Sequence, residues 1–234
     1  MSGRSIAMIG FLTACAGLLG WLVWCEGASI IVVHAALMIF AWGILVPLCV
    51  ILARFYKVTP EQDFPVRLDN PFWWRWHRWG QILAVVVSTL AFALMWGEIG
   101  WAGLASWHGR LGMAVVAIGW LQFSGSFLRG SKGGPTDPRA NPSDPGTWRG
   151  DHYDMTLRRR VFEATHKSLG YAALILVLPV IWLGLSLSGI DIAVWISALA
   201  LWIVMVIGAA GLQRTGRHVD TWVALWGTKT PVVK

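Results

Sequence analysis

Six long stretches without a charged side chain constrain the fold of this chain more than any other feature. Each approaches or exceeds the roughly 20 apolar residues that a membrane-spanning helix needs. The fourth helix is expected to begin before its charge-free stretch, near Trp101, with Arg110 reaching the membrane interface. The sequence therefore predicts an all-α integral membrane protein with six transmembrane helices. The stretches are Ser5–Cys25, Gly27–Ala53, Trp79–Gly97, Leu111–Leu128, Ser168–Ile190 and Ile192–Gln213.

The distribution of basic residues predicts the orientation of these helices. If six spans alternate in direction, 18 of the 19 Lys and Arg residues fall on one side, and only Arg110 lies on the other. Basic loops mark the cytoplasmic side, so both termini are expected there. The net charge of +7 is then mainly a topology signal, with contact to membrane lipid headgroups as a further use. No compact basic domain exists that would bind a nucleic acid.

Four histidines carry the strongest functional signal. His34, His77, His108 and His166 lie near the starts of four consecutive apolar stretches, and an ionisable side chain at membrane depth is by default a functional candidate. In alternating helices, His34 and His108 share one depth, and His77 and His166 share the opposite depth. A single such histidine is more often a hydrogen-bonding residue between helices. Two pairs on opposite sides favour two haem groups, each held by histidines from two helices.

The residues after the histidines also fit a flat cofactor. His108 and His166 both begin the phrase H-x-x-L-G-x-A, which places Gly112 and Gly170 one helical turn from each histidine. A glycine there leaves room for a porphyrin close to the backbone. No Cys-x-x-Cys-His motif is present, so the predicted cofactors are two non-covalent, bis-histidine haems b. Bis-histidine ligation leaves no open iron position, which favours electron transfer over chemistry on a coordinated substrate.

From about His34 to Gly184 the chain resembles the cytochrome b-561 family. The resemblance lies in H-A-A-L-M-I-F-A-W-G-I-L-V-P-L with A-R-F-Y-K, in His77, and in H-G-R-L-G and H-K-S-L-G-Y. It implies a central four-helix bundle, within about residues 30–188, that holds two haems paired first with third and second with fourth histidine. Its familiar members pass electrons from ascorbate to monodehydroascorbate or ferric chelates across the membrane. The long connector 129–160 is more like bacterial members, which implies a bacterial inner (plasma) membrane.

Several basic residues are expected to serve anionic groups. Arg110 lies two residues from His108 and is expected to meet a haem propionate or an anionic substrate, with interfacial placement as the alternative. On the cytoplasmic side, the expected substrate-binding residues are Arg54, Lys57, Arg78, Lys167 and His152. Within the connector 129–160, the Pro- and Gly-rich stretch 129–151 cannot form a helix or a central strand. It is expected to act either as a lid at the cytoplasmic haem or as a spacer.

The whole chain, residues 1–234, is predicted to be one membrane domain without a soluble domain. The stretch Lys57–Asn70 reads as a turn-rich connector. In the tail, 214–234, Val219, Trp222, Val223 and Trp226 have helical spacing that predicts a short interfacial helix.

The favoured function is a transmembrane oxidoreductase in which no side chain makes or breaks a covalent bond. It would take electrons from a cytoplasmic small-molecule donor, ascorbate-like or a quinol, and reduce an acceptor such as ferric iron on the other side. Three alternatives stay open: a quinone or superoxide oxidoreductase, a haem-bearing membrane anchor of a partner enzyme, and a transporter that uses the histidines as metal or proton sites. A homodimer is also compatible with the sequence.

Overall fold

The computed structural model describes residues 3–58 and 71–218, and within these ranges it contains helices and no strand. Six helices are long and apolar enough to cross a membrane. The predicted fold class is therefore confirmed. The six candidate spans are Gly3–Glu26, Ile30–Phe55, Pro71–Ala105, Trp107–Leu128, Leu157–Ser188 and Ile192–Arg214.

Seven α-helices build these spans, because the second span is interrupted. It consists of α2, a seven-residue π-helix over Ile39–Leu45, and α3. Pro47 is the second residue after the π-helix and has no N–H to donate. The wider π turn accommodates this break within a buried stretch, in which Ala41 is fully buried. The helices are α1 (Gly3–Glu26), α2 (Ile30–Met38), α3 (Val46–Phe55), α4 (Pro71–Ile99), α5 (Trp107–Gly125), α6 (Leu157–Ser188) and α7 (Ile192–Arg214).

The described residues form two compact units. The first, here called the helical unit, comprises residues 3–58, 71–117 and 174–218. In it, α2 and α3 pack against α4, α1 packs against α2, and α7 packs against α3. A buried cluster of Val32, Ile39, Leu185 and Ile190 joins α2, the π-helix and the end of α6. Helix α1 has no buried residue, as expected of an outer helix whose side chains meet lipid.

The second, here called the connector unit, comprises residues 118–173. Between α5 and α6 the chain forms only turns and single 3-10 turns, which agrees with the predicted absence of helix and strand. The loop is nevertheless tightly built, because Trp148 and Tyr153 are each 3% exposed and their rings pack edge to face. Asp151 accepts hydrogen bonds from Thr156 Oγ1 and from the amide and hydroxyl of Ser131. These bonds hold the pKa of the Asp151 carboxyl down to about 2.

Two predicted features lie outside the described residues. They are most of the turn-rich stretch Lys57–Asn70 and the interfacial helix of the tail. The description as one membrane domain stays a prediction.

Candidate cofactor site

The helical unit brings two of the four predicted ligands together. His34 lies in α2 and His108 lies at the start of α5. Their ring centroids are 6.0 Å apart, and their ring planes are nearly perpendicular, at 83°. The two histidines are 74 positions apart in sequence, so this juxtaposition depends on the packing of the helices.

Each of these rings is oriented by a backbone carbonyl of another helix. Nδ1 of His34 lies 2.9 Å from the carbonyl oxygen of Ala91 in α4, and Nδ1 of His108 lies 2.9 Å from that of Val180 in α6. A carbonyl oxygen only accepts, so Nδ1 carries a proton in both rings, and in the neutral form of each ring Nε2 keeps its lone pair. Metal-ligating histidines in proteins are oriented in this way.

The separation of the two rings fits one shared metal atom. Two metal–imidazole bonds of about 2.0 Å, plus about 1.1 Å from each nitrogen to its ring centroid, give roughly 6.2 Å between centroids on opposite sides of a metal. The observed 6.0 Å lies close to this value. The separation is compatible with a shared metal atom and equally with an edge-to-face contact between the two rings.

Gly184 in α6 leaves the space into which the His108 ring packs. A Cβ atom at this position would lie 2.6 Å from His108 Cε1 and 2.9 Å from its Nδ1. Real Cβ atoms essentially never come closer than 3.0 Å to a heavy atom. Val180, which accepts the hydrogen bond of His108, lies one helical turn earlier on the same face. The Cε1 and Nδ1 edge of the imidazole thus packs against a stretch of α6 where a larger side chain would displace it.

His77, also in the helical unit, is oriented like His34 and His108. Its Nδ1 lies 3.2 Å from the carbonyl oxygen of Cys49 in α3. Cys49 is 1% exposed, and its thiol donates a hydrogen bond to the carbonyl oxygen of Trp76 at 3.3 Å. Three of the four predicted ligands therefore share one arrangement, a backbone carbonyl of a neighbouring helix at Nδ1.

His166 lies in the connector unit and lines an apolar cavity of about 530 Å³. Such a volume is within the range of cofactor sites. Phe162 stacks on the His166 ring with centroids 5.1 Å apart. Gln122 Nε2 donates to the His166 carbonyl oxygen at 2.7 Å and so ties α5 to α6. The cavity is lined by Leu121, Gln122, Gly125, Leu128, Leu157, Arg158, Val161, Phe162, Thr165, His166 and Leu169.

The glycines predicted to lie beside a porphyrin have different surroundings. A Cβ atom on Gly112 would meet only Val180 Cγ1, at the ordinary contact distance of 3.8 Å, whereas one on Gly170 would lie 3.1 Å from Gln122 Nε2. Gly112 therefore tolerates a methyl group, and Gly170 has a tight neighbour. Their proximity to a porphyrin stays a prediction, as does the pairing of His77 with His166.

Arg110 is engaged with the chain that precedes its own helix. Its Nε donates to the carbonyl oxygen of Leu104 at 2.6 Å, and its guanidinium lies 5.4 Å from the centroid of the Trp107 ring. Both contacts are local, with residues no more than six positions before Arg110. The role of Arg110 toward a propionate or a substrate stays a prediction.

The five residues predicted to bind substrate lie in both units. In the helical unit, Arg54 donates twice to the side-chain oxygen of Gln213, while Lys57 lies over the Trp73 ring and Arg78 over the Trp79 ring. In the connector unit, Lys167 and His152 both lie beside Glu163, at 2.9 and 3.8 Å. Their role in binding a substrate stays a prediction.

The sequence analysis did not identify Glu163, which lies beside two of the predicted substrate-binding residues, Lys167 and His152. Its carboxylate also accepts a hydrogen bond from Arg159 Nε at 2.9 Å. Glu163 thus lies among three basic side chains, three residues before His166 on α6. The four-residue spacing of Arg159, Glu163 and Lys167 was the available signal, because such residues neighbour each other on a helix. The carbonyl acceptors of Ala91, Cys49 and Val180 gave no signal, since a backbone group has no sequence signature.

Comparisons with known proteins support an oxidoreductase. The chain is 29% identical over 161 residues to ferric-chelate reductase 1 of Homo sapiens and 29% identical over 160 residues to that of Mus musculus. Both alignments cover 68% of this chain and 23% of the relative. A putative ferric-chelate reductase 1 homolog of Drosophila melanogaster is 29% identical over 123 residues, covering 52% of this chain and 18% of the relative. The chain thus matches less than a quarter of the length of these relatives.

No family model matches the chain. No solved structure matches it either.

Proposed function

We propose that this chain is a transmembrane oxidoreductase of the cytochrome b-561 type, which carries electrons through two haems b and reduces a ferric chelate. The observation that carries the proposal is the pair His34 and His108, with rings 6.0 Å apart and both Nδ1 atoms tied to backbone carbonyls. The names of the relatives supply the acceptor class. His77 with His166 is the second proposed pair and rests on the sequence pattern.

The residues around His34 and His108 orient both imidazoles as ligands of a haem iron would be oriented. A bis-histidine haem supplies one-electron chemistry without an open coordination position. The carbonyls of Ala91 and Val180 fix the tautomers of His34 and His108 so that both Nε2 atoms are available to a metal. The absence of a side chain at Gly184 leaves the space in which the His108 ring packs against α6.

The donor is proposed to reach His166, which the sequence analysis predicts near the cytoplasmic face and which lies beside the basic side chains of Arg159 and Lys167. Lys167 of α6 and His152 of the preceding loop both lie beside Glu163 of α6. Arg159 and Lys167 together outnumber the single carboxylate of Glu163, and this net positive charge would attract an anionic reductant of the ascorbate class. The cavity at His166 is instead lined mostly by apolar side chains, so a quinol is the donor with which ascorbate has to be compared.

The experiment is electron transfer across a closed bilayer. Purified protein is reconstituted into liposomes that contain ascorbate or a reduced quinone, and a ferric chelate is added outside. Formation of the ferrous complex outside is followed by absorbance. The wild type is expected to reduce the external chelate, because one-electron transfer through two fixed cofactors moves neither substrate across the membrane.

The control variants separate the haem ligands from other histidines. His34→Ala is expected to abolish trans-bilayer reduction, whereas His218→Ala, which changes a histidine outside the four, is expected to leave the rate unchanged. Equal rates in wild type and His34→Ala would contradict the proposed function.

A further inference from the structure

Cys49 and Gly80 form a fitted contact between α3 and α4, close to His77. A Cβ atom on Gly80 would overlap Cys49 Sγ, far inside the distance that real Cβ atoms keep. Gly80 is buried, and Cys49 is 1% exposed. The thiol therefore occupies the space that the absent side chain of Gly80 leaves open. Gln81 adds a hydrogen bond to the carbonyl oxygen of Val46 at 3.3 Å in the same region.

Cys49 contacts the histidine-bearing turn through both its side chain and its backbone. Its thiol donates to the carbonyl oxygen of Trp76, and its own carbonyl oxygen accepts from His77 Nδ1. Trp76, His77 and Gly80 belong to one turn of α4. The distance between the two helices therefore decides whether His77 Nδ1 can reach its acceptor.

We propose that Cys49 and Gly80 are positioning residues for His77, because their fit sets the helix separation at which the Cys49 carbonyl orients the imidazole. This inference rests on the proposed function, which assigns a haem to His77. The same packing also keeps the Cys49 thiol inaccessible to solvent, and this effect does not depend on a bound haem. Neither residue touches a reacting atom under this proposal.

A methyl group at position 80 would have to separate the helices by about 1 Å to restore ordinary contact. The hydrogen bond from His77 to Cys49 is already 3.2 Å long. An added ångström takes it beyond hydrogen-bonding distance, which ends near 3.5 Å. Loss of that bond makes the imidazole a less electron-rich ligand, so the reduction potential of a haem held there would rise.

If this contact sets the helix separation, removing the Cys49 sulfur atom should compensate for a side chain added at position 80. Without the sulfur atom of residue 49, the nearest atoms to a Cβ at position 80 would be Leu45 Cδ1 at 3.5 Å and Cys49 Cβ at 3.8 Å. Both are ordinary van der Waals distances. The double variant Cys49→Ala/Gly80→Ala should therefore recover the helix separation that Gly80→Ala alone loses. Cys49→Ser should resemble wild type, because its hydroxyl keeps a donor for Trp76.

The test measures haem content and reduction potential in the full-length purified protein. Gly80→Ala is expected to lose one of two haems, or to retain it at a higher potential, and the double variant is expected to restore both properties. Gly97→Ala on the same helix is the matched control, since a Cβ there meets nothing within 4 Å. Unchanged haem content and potential in Gly80→Ala, or a double variant no better than Gly80→Ala, would overturn the proposal.

A second readout separates this inference from the proposed function. In a Cys15→Ser/Cys25→Ser background, Cys49 is the remaining thiol, and its alkylation by a maleimide can be followed without haem. Slow alkylation in wild type and faster alkylation in Gly80→Ala is expected, with the slow rate kept in Gly97→Ala. If wild type binds no haem at His77, the proposed function fails while this result can stand. Equal alkylation in all three proteins would refute the fitted contact itself.

Discussion

Replacing Gly184 by alanine should loosen one haem and leave the other unchanged. The new methyl carbon would lie 2.6 Å from His108 Cε1, where ordinary contact begins at 3.4 Å, so the ring has to move by about 0.8 Å. That movement strains the 2.9 Å hydrogen bond from His108 to Val180. Loss of such an outer partner typically lowers metal affinity 10- to 100-fold, or about 1.4–2.8 kcal/mol.

The assay is haem transfer to excess apomyoglobin, recorded as a time course by visible absorbance. Wild type should release its two haems in two phases. In Gly184→Ala one phase should accelerate about 10- to 100-fold, while the other keeps its rate. Gly208→Ala on α7 is the matched control, because a Cβ there meets nothing within 4 Å. Two unchanged phases would refute the seating of His108 on Gly184, and equal acceleration of both phases would show general destabilisation instead.

Three further outcomes are expected. The Asp151 carboxyl has a pKa of about 2 in the folded connector, below its usual 3.8, so its stabilising contribution is nearly complete above about pH 5 and is lost progressively as the pH falls toward about 1. Hydrogen exchange in the connector should rise across that window, and Asp151→Asn should remove the dependence. Glu163→Gln weakens the ion pairs with Arg159 and Lys167 and should lower the melting temperature by about 1–4 °C; an unchanged melting curve would mean that the pairs contribute nothing. The ring planes of His34 and His108 are 83° apart, so one haem should give a strongly anisotropic low-spin ferric resonance; two ordinary rhombic signals would contradict the perpendicular arrangement.

The transmembrane helices were predictable because their signal is local. Charge-free length identifies a span wherever it occurs. Four of the six predicted spans fall within helices of the structure, and the other two, Gly27–Ala53 and Ser168–Ile190, extend two or three residues beyond a helix end. The π-helix at Ile39–Leu45 was not predicted, although Pro47 marks the place where regular hydrogen bonding has to break. Its position depends on how the second span packs, which hydropathy does not encode.

In the candidate site too, some features were predictable from the sequence and others were not. Alternating helix direction predicted that His34 and His108 share a depth, and the 6.0 Å distance between their rings agrees with it. The features that orient the rings were not predictable, because backbone carbonyls and the surroundings of Gly80 and Gly184 exist only in the packed structure. Gly112 shows the limit of motif reasoning, since it shares a phrase with Gly170 and yet has an open neighbourhood.

The haem content of paired histidine variants tests the central claim most directly. If His34 and His108 hold one iron and His77 and His166 hold another, wild type contains two haems per chain, and His34→Ala/His108→Ala keeps one, because both changes remove the same site. His34→Ala/His77→Ala should contain none. A His34→Ala/His108→Ala protein without haem, together with a His34→Ala/His77→Ala protein that retains one, would contradict the account.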